Sequence, residues 1–216
     1  MIKYAIDNKL FHKEYVAKYT NASFLVKEGF DFKDGLFSGY DEATRSYDKT
    51  KWEFETAEDG TPKRDETLEH PRSVFQLMKK HYSRYDVDTV VNVTGTPKKD
   101  FLKVCDAFCS TGKPGKAGTI MYAMGTTQHT VGTQNVRAFG ILQLLLGNIG
   151  LPGGGINALR GESNVQGSTD FGLLFGDLPG YVGAPKAIPE HATLKGYLEK
   201  ETPKTSYWAN KPKFLV

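Results

Sequence analysis

The apolar positions of this chain fall into blocks of helical period, separated by blocks where that period is lost. From residue 2 to residue 20, Tyr4, Leu10, Phe11, Tyr15 and Val16 form a stripe at helical spacing that predicts one helix. From 21 to 68 the texture changes. Gly29, Gly35, Gly39 and Gly60 punctuate aromatic runs holding Phe30, Phe32, Phe37, Tyr40, Tyr47, Trp52 and Phe54, the pattern of turns and short strands. Helical spacing returns over 71–84, with Val74, Leu77 and Met78 on one face. Residues 85–94 fit two readings. Val87, Val90, Val91 and Val93 suit a strand by propensity, while Val87, Val90, Val91 and Thr94 also recur at helical spacing. The reading adopted is a helix stopped by Gly95. Thr96 and Pro97 then predict another, with Thr as cap and Pro at the first helical position, running through Phe101, Leu102, Cys105 and Phe108.

In the second half, the short apolar run from Thr119 to Ala123 ends at the polar stretch Met124-Gly125-Thr126-Thr127-Gln128-His129. A buried parallel strand feeding a polar loop has this pattern. Residues 132–146 predict a helix stopped by Gly147 and Gly150. Strand, polar loop and helix in succession make half of a doubly wound α/β unit, in which ligands bind at the carboxyl ends of the strands. A second polar loop, 153–166, combines glycines and amides with one arginine, Arg160. Glycine lets a backbone approach a ligand closely, and a guanidinium with five fixed donors suits a carboxylate or phosphate. Whether the two loops meet depends on how the intervening helix returns. After Gly167, Asp170, Leu173, Leu174 and Phe175 lie at helical spacing, and the tail from Ala184, with Pro185, Pro189 and Pro203, reads as a linker or docking arm.

Composition narrows the classes of function. With 39% hydrophobic and 12% aromatic residues, a chain of 216 residues has ample material for a packed core. Its 28 basic and 25 acidic residues are spread along the sequence, so the net charge of +3 gives no polycationic face and nucleic acid is not an expected partner. The longest apolar run, Ile141 to Leu146, contains Gln143 and falls far short of the roughly 18 residues of a membrane span. The first residues open into an amphipathic pattern, not a basic and then apolar leader, so no secretion signal is expected. Cys105 and Cys109 lie four apart on an expected helix with no second cluster, and read as small core residues. His12, His70, His81 and His191 show no ligand spacing. His129 reads as structural, with proton acceptance the lesser alternative. No metal ligand is assigned.

Three blocks carry a resemblance: Met124 to His129, Gln143-Leu144-Leu145-Leu146-Gly147-Asn148-Ile149-Gly150, and Ala158-Leu159-Arg160-Gly161-Glu162-Ser163-Asn164-Val165-Gln166-Gly167. They resemble the catalytic subunit of molybdenum or tungsten formate dehydrogenases, within the dimethyl sulfoxide reductase family of molybdopterin oxidoreductases. Tyr19 to Phe24 and Asp34 to Tyr40 resemble the respiratory, membrane-associated or periplasmic branch. The resemblance covers nearly the whole chain. It implies an α/β fold, part of a molybdopterin-oxidoreductase fold whose Rossmann-like parallel sheet is flanked by helices. Residues 1–162 would form part of a cofactor-binding domain, with 21–70 as a turn-rich aromatic insertion, and 163–216 would start an adjoining α/β domain and linker. It implies that Arg160 holds formate beside the metal, that Met124 and Gln128 line the pterin and metal cavity, and that Gly125 and Gly161 give backbone contact to the cofactor.

The implied cofactor is bis-molybdopterin guanine dinucleotide with molybdenum or tungsten. A 4Fe–4S centre and the metal-ligating selenocysteine or cysteine would lie outside this chain, which the resemblance makes an internal segment, inactive by itself. Implied partners are formate, the remainder of the catalytic subunit and an iron–sulfur electron-transfer subunit, in the periplasm. The alternative is a non-catalytic α/β fragment that binds the cofactor or a nucleotide.

Overall fold

A computed structural model describes residues 1–173, 176–178 and 182–201. The chain divides into two compact units, Met1–Ala158 and a second from Leu159 onward. Within the first, the expected helix over 2–20 is two helices, α1 (Ile2–Asp7) and α2 (Lys13–Tyr19). Lys9 takes a left-handed backbone, φ 55°, which no continuing helix accommodates. His12 then caps α2, its Nδ1 accepting from the Tyr15 N–H at 3.2 Å. Leu10 and Phe11 still reach the core, from the connection between the helices.

The aromatic stretch is built as its sequence suggests. Two short antiparallel hairpins, β1 (Phe32–Lys33) with β2 (Leu36–Phe37) and β3 (Tyr40–Asp41) with β4 (Ser46–Tyr47), are followed by isolated bridges. Trp52 rests edge-on against Phe30 and Phe37, and its Nε1 donates to the Ser38 carbonyl at 2.8 Å. Three helices follow: α3 (Val74–Tyr82), α4 (Val87–Thr94) and α5 (Lys98–Cys109). Ser73 caps α3 and Asp86 caps α4, and Gly95 ends α4 at φ 71°. Thr96 is not the cap of α5. Pro97 holds that position, while the Thr96 hydroxyl accepts from Thr94 Oγ1 at 3.1 Å. Cys105 and Cys109 are buried free thiols on α5, as expected.

The remaining elements of this unit are β5 (Thr119–Tyr122), α6 (Met124–Thr127), α7 (Gly132–Leu145) and β6 (Gly155–Ala158). β5 and β6 pair in parallel, flanked by helices, so this part is mixed α/β. β5 is less buried than its apolar run suggests. Ile120 joins the core, but Met121 on the opposite face is 63% exposed. Ala5, Ile6, Val16, Ala17, Leu68, Phe75, Cys109, Leu142, Leu145 and Leu146 make one core among α1, α2, α3, α5 and α7. Gly147 ends the α7 turn at φ 70°, where a Cβ would also press on His12 at 3.0 Å.

The second unit holds α8 (Val165–Asp170), a hairpin of β7 (Asp177–Leu178) and β8 (Val182–Gly183), and α9 (Leu194–Glu201). The helical spacing read into residues 170–175 does not correspond to a helix over its described part: α8 ends at Asp170 and Leu173 follows outside any element, while Leu174 and Phe175 lie outside the described residues. The tail from Ala184 is more than a linker. α9 docks on the hairpin through Tyr197, whose hydroxyl donates to the Gly183 carbonyl at 2.6 Å, and His191 Nε2 meets Glu201 at 3.1 Å. Pro203 lies outside the described residues.

Candidate functional site

The parallel pair fixes where the chain leaves the first unit's two strands. Thr119 pairs with Gly155, Ile120 with Ile156, Met121 with Asn157 and Tyr122 with Ala158. Both strands therefore end level, and the chain leaves both at the same carboxyl edge, where parallel sheets place their ligands. The glycine-rich stretch is thus not loop throughout: residues 155–158 are β6 and α8 begins at Val165, so only 153–154 and 159–164 of it are loop.

At the end of β5 the chain turns directly into α6. Met124 is 51% exposed, Gly125 has open space where a Cβ would point, and Gln128 is exposed at the helix end. Gln128 Nε2 approaches Met124 Sδ at 3.6 Å, one helical turn away. Asn135 Nδ2 on α7 donates to the Thr126 carbonyl at 3.2 Å and ties α6 down. Gly132 is required at this junction, because a Cβ there would lie 2.1 Å from the Thr127 carbonyl oxygen. Three of the sequence-named residues, Met124, Gly125 and Gln128, thus share one short, exposed helix. His129 is exposed beyond it.

Arg160 and Gly161 follow β6 in the chain and belong to the second unit. Both are exposed, as is Glu162. Arg160 makes no hydrogen bond or ion pair with any described residue. Asn164, at φ 52°, leads into α8. No three His, Cys, Asp or Glu side chains among the described residues converge as a metal site. No helix among them is long and apolar enough to cross a membrane.

A cavity of about 1060 Å³ lies elsewhere in the first unit, among Tyr82, Arg84, Phe108, Ile120, Arg137 and Leu142. Met124, Gly125 and Gln128 do not line it. His81 borders it, and burial together with the nearby Arg84 charge holds its imidazole below the usual histidine range.

Two residues that stand in one of the resembling blocks without an assigned role, Gln143 and Asn148, organise the opposite, amino edge of the sheet. Gln143 and Asn148 are both 0% exposed. Gln143 Nε2 donates to the Gly118 carbonyl at 2.8 Å and to the Gly155 carbonyl at 2.6 Å, and its Oε1 accepts from Asn148 Nδ2 at 2.8 Å. Asn148 also donates to Thr111 Oγ1 at 3.0 Å and accepts from the Gly118 N–H at 3.1 Å. Every donor and acceptor site of the two amides is engaged, apart from spare carbonyl lone pairs. The sequence signal was present: an amide in the midst of the apolar end of α7.

No family model matches the chain. Named relatives do. The chain is 61% identical to the formate dehydrogenase subunit alpha of Megalodesulfovibrio gigas, over 99% of this chain and 22% of that protein. It is 54% identical to the formate dehydrogenase 2 subunit alpha (cytochrome c-553) of Nitratidesulfovibrio vulgaris and 53% identical to the nitrate-inducible formate dehydrogenase major subunit of Escherichia coli K12, in each case over 100% of this chain and 22% of the relative. These likenesses relate the whole of the chain to a segment of proteins named formate dehydrogenase. More closely, those proteins are alpha or major subunits, and the chain spans about a fifth of the length of those relatives.

Proposed function

We propose that this chain supplies the formate-binding arginine and one wall of the cofactor cavity of a formate dehydrogenase alpha subunit that oxidises formate to carbon dioxide. The observation that carries the reading is the 61% identity, over 99% of the chain, to an alpha subunit of that name. In this reading β5 and β6 are two strands of a larger Rossmann-like sheet. Residues 1–162 belong to a cofactor-binding domain, and 163–216 begin the next. The partners are the rest of the subunit and an iron–sulfur electron-transfer subunit, in the periplasm.

The residues present suit that role. Formate is a small carboxylate, and a fork of guanidinium donors grips two carboxylate oxygens and fixes the direction of the C–H bond. Each hydrogen bond to such a charged group is worth about 1.5–3 kcal/mol net. The exposed Arg160, with no carboxylate partner among the described residues, has its donors available for a ligand. Bis-molybdopterin guanine dinucleotide, carrying molybdenum or tungsten, would supply the two-electron redox chemistry. Met124, Gly125 and Gln128 would line it from α6, where the open space at Gly125 leaves backbone accessible. Gly161 would give the same access beside Arg160. The ligand to the metal comes from outside these residues.

A second reading, cofactor or nucleotide binding without turnover, draws on the lack of a converging metal-ligand set among the described residues. One experiment separates the two. The matching stretch of the Megalodesulfovibrio gigas alpha subunit is replaced by this chain, and the assembled enzyme is purified anaerobically. Stoichiometric metal with formate-dependent dye reduction is expected. Full metal with no reaction toward formate would support binding alone and overturn the catalytic reading.

A further inference from the structure

We infer that Gln143 and Asn148 are positioning residues that set the register of β5 against β6, and through it the relation between the two strand ends from which the candidate site is built. The inference rests on the reading of that carboxyl edge as the site. A two-stranded parallel sheet has few bonds of its own with which to choose a register, and a slip of one residue turns each side chain to the other face. Here the choice is made by side chains at the amino edge.

Gly118 immediately precedes β5, and Gly155 is the first residue of β6. Gln143 holds the carbonyls of both with a single amide group, at 2.8 and 2.6 Å. Asn148 takes the N–H of Gly118 as well, so both backbone groups of that residue are bonded to side chains as a neighbouring strand would bond them. Glycine suits the close approach: a Cβ on Gly118 would lie 3.1 Å from Thr111 Cγ2 and 3.3 Å from Phe108 Cε2, so those side chains would have to shift slightly. A one-residue slip of either strand would remove at least one carbonyl from Gln143 and leave buried polar groups unpaired. From this lock, four residues of strand, about 13 Å, carry the register to the paired ends Tyr122 and Ala158. α6 starts two residues after the first, and Arg160 comes two residues after the second. Neither amide touches the proposed ligands, so the effect passes through the strands.

The test has two readouts. In the full 216-residue chain, amide hydrogen exchange is compared between wild type and Gln143→Met, which keeps the length of the side chain and removes its donors. Exchange is expected to speed at least about tenfold in β5, β6 and α6, with the amides of α1 to α3 unchanged. In the hybrid alpha subunit described above, kcat/KM for formate per bound metal is expected to fall about tenfold or more, because small misplacements of binding groups are costly in rate. Asn148→Ser, which replaces the amide with a shorter side chain bearing a hydroxyl, is read in the same way should Gln143→Met not fold. Unchanged exchange in β5 and β6 overturns the inference. So does a loss of metal-loaded enzyme in which each remaining loaded molecule turns over normally, since that is the signature of stability alone. A hybrid without activity before any substitution would count against the formate reading only, and the exchange data would still decide the register.

Discussion

Replacing Asn148 with Asp changes one group of the buried network and makes stability depend on pH in a direction the geometry fixes. In the native chain Asn148 Nδ2 faces two acceptors, Gln143 Oε1 at 2.8 Å and Thr111 Oγ1 at 3.0 Å. The Thr111 hydroxyl has its proton committed to the Phe108 carbonyl at 2.8 Å. A carboxylate at 148 would therefore point an anionic oxygen at Gln143 Oε1 in a site with no exposure to water. A protonated carboxyl would donate to that oxygen and restore the contact. Both burial and the facing acceptor raise the pKa of the new group above its unfolded value of about 3.9. The neutral form is then bound more tightly in the folded state, so the variant is most stable below about pH 4 and loses stability as pH rises toward the folded pKa. The slope is about 1.4 kcal/mol per pH unit, which reaches about 4 kcal/mol at pH 7 if the folded pKa lies at or above that value. That loss is a large part of the 5–15 kcal/mol typical of a domain. Urea unfolding from pH 4 to 8, followed by tryptophan fluorescence and far-ultraviolet circular dichroism, measures it as the difference between variant and wild type. Asn148→Leu, which cannot titrate, is expected to show a difference independent of pH. An Asp variant whose deficit is also flat across this range would refute the argument, because the site would then be hydrated enough to hold a charge.

Two further outcomes follow from the electrostatics. Burial raises both thiols, Cys109 to about 11, so alkylation of Cys105 and Cys109 at pH 8 should be at least about a hundredfold slower in the folded chain than in urea, as read by mass spectrometry; rapid labelling of folded protein would show that α5 opens readily. Asp65 is held down to about 2, first by the Thr67 hydroxyl and then by the backbone N–H groups of His70, Thr67 and Glu69. Its depressed pKa contributes stability that is present above about pH 4 and lost as pH falls toward 2, so Asp65→Asn should flatten the acid limb of the unfolding profile, and an unaltered acid limb would remove Asp65 from that role.

What the sequence made visible depended on whether a local signal matched a tertiary one. Gly95 stops α4 and Gly147 ends the α7 turn because each meets a left-handed position that disfavours other residues, so both ends were legible. The break between α1 and α2 was not, since Lys9 occupies the same region without a glycine to announce it. β6 was hidden because its four residues begin with a glycine at φ 89° and continue into a polar stretch, leaving little alternation to see. The exposed face of β5 escaped notice for a related reason: Met121 is apolar, and periodicity does not say which apolar side chain is left uncovered. The site residues came from motif likeness. What the structure adds is the level ending of β5 and β6, a relation between residues far apart in sequence, and the buried amides at the opposite edge.

The central claim is that Arg160 binds formate. In the hybrid alpha subunit carrying Arg160→Ala, metal content by elemental analysis and kcat/KM for formate are measured on the same anaerobic preparation. The account predicts full metal occupancy with kcat/KM lower by at least about a hundredfold, the loss of two charge-assisted hydrogen bonds to the carboxylate at about 1.5–3 kcal/mol each. Equal losses of metal and activity would contradict it and make the arginine a residue that retains the cofactor or the fold.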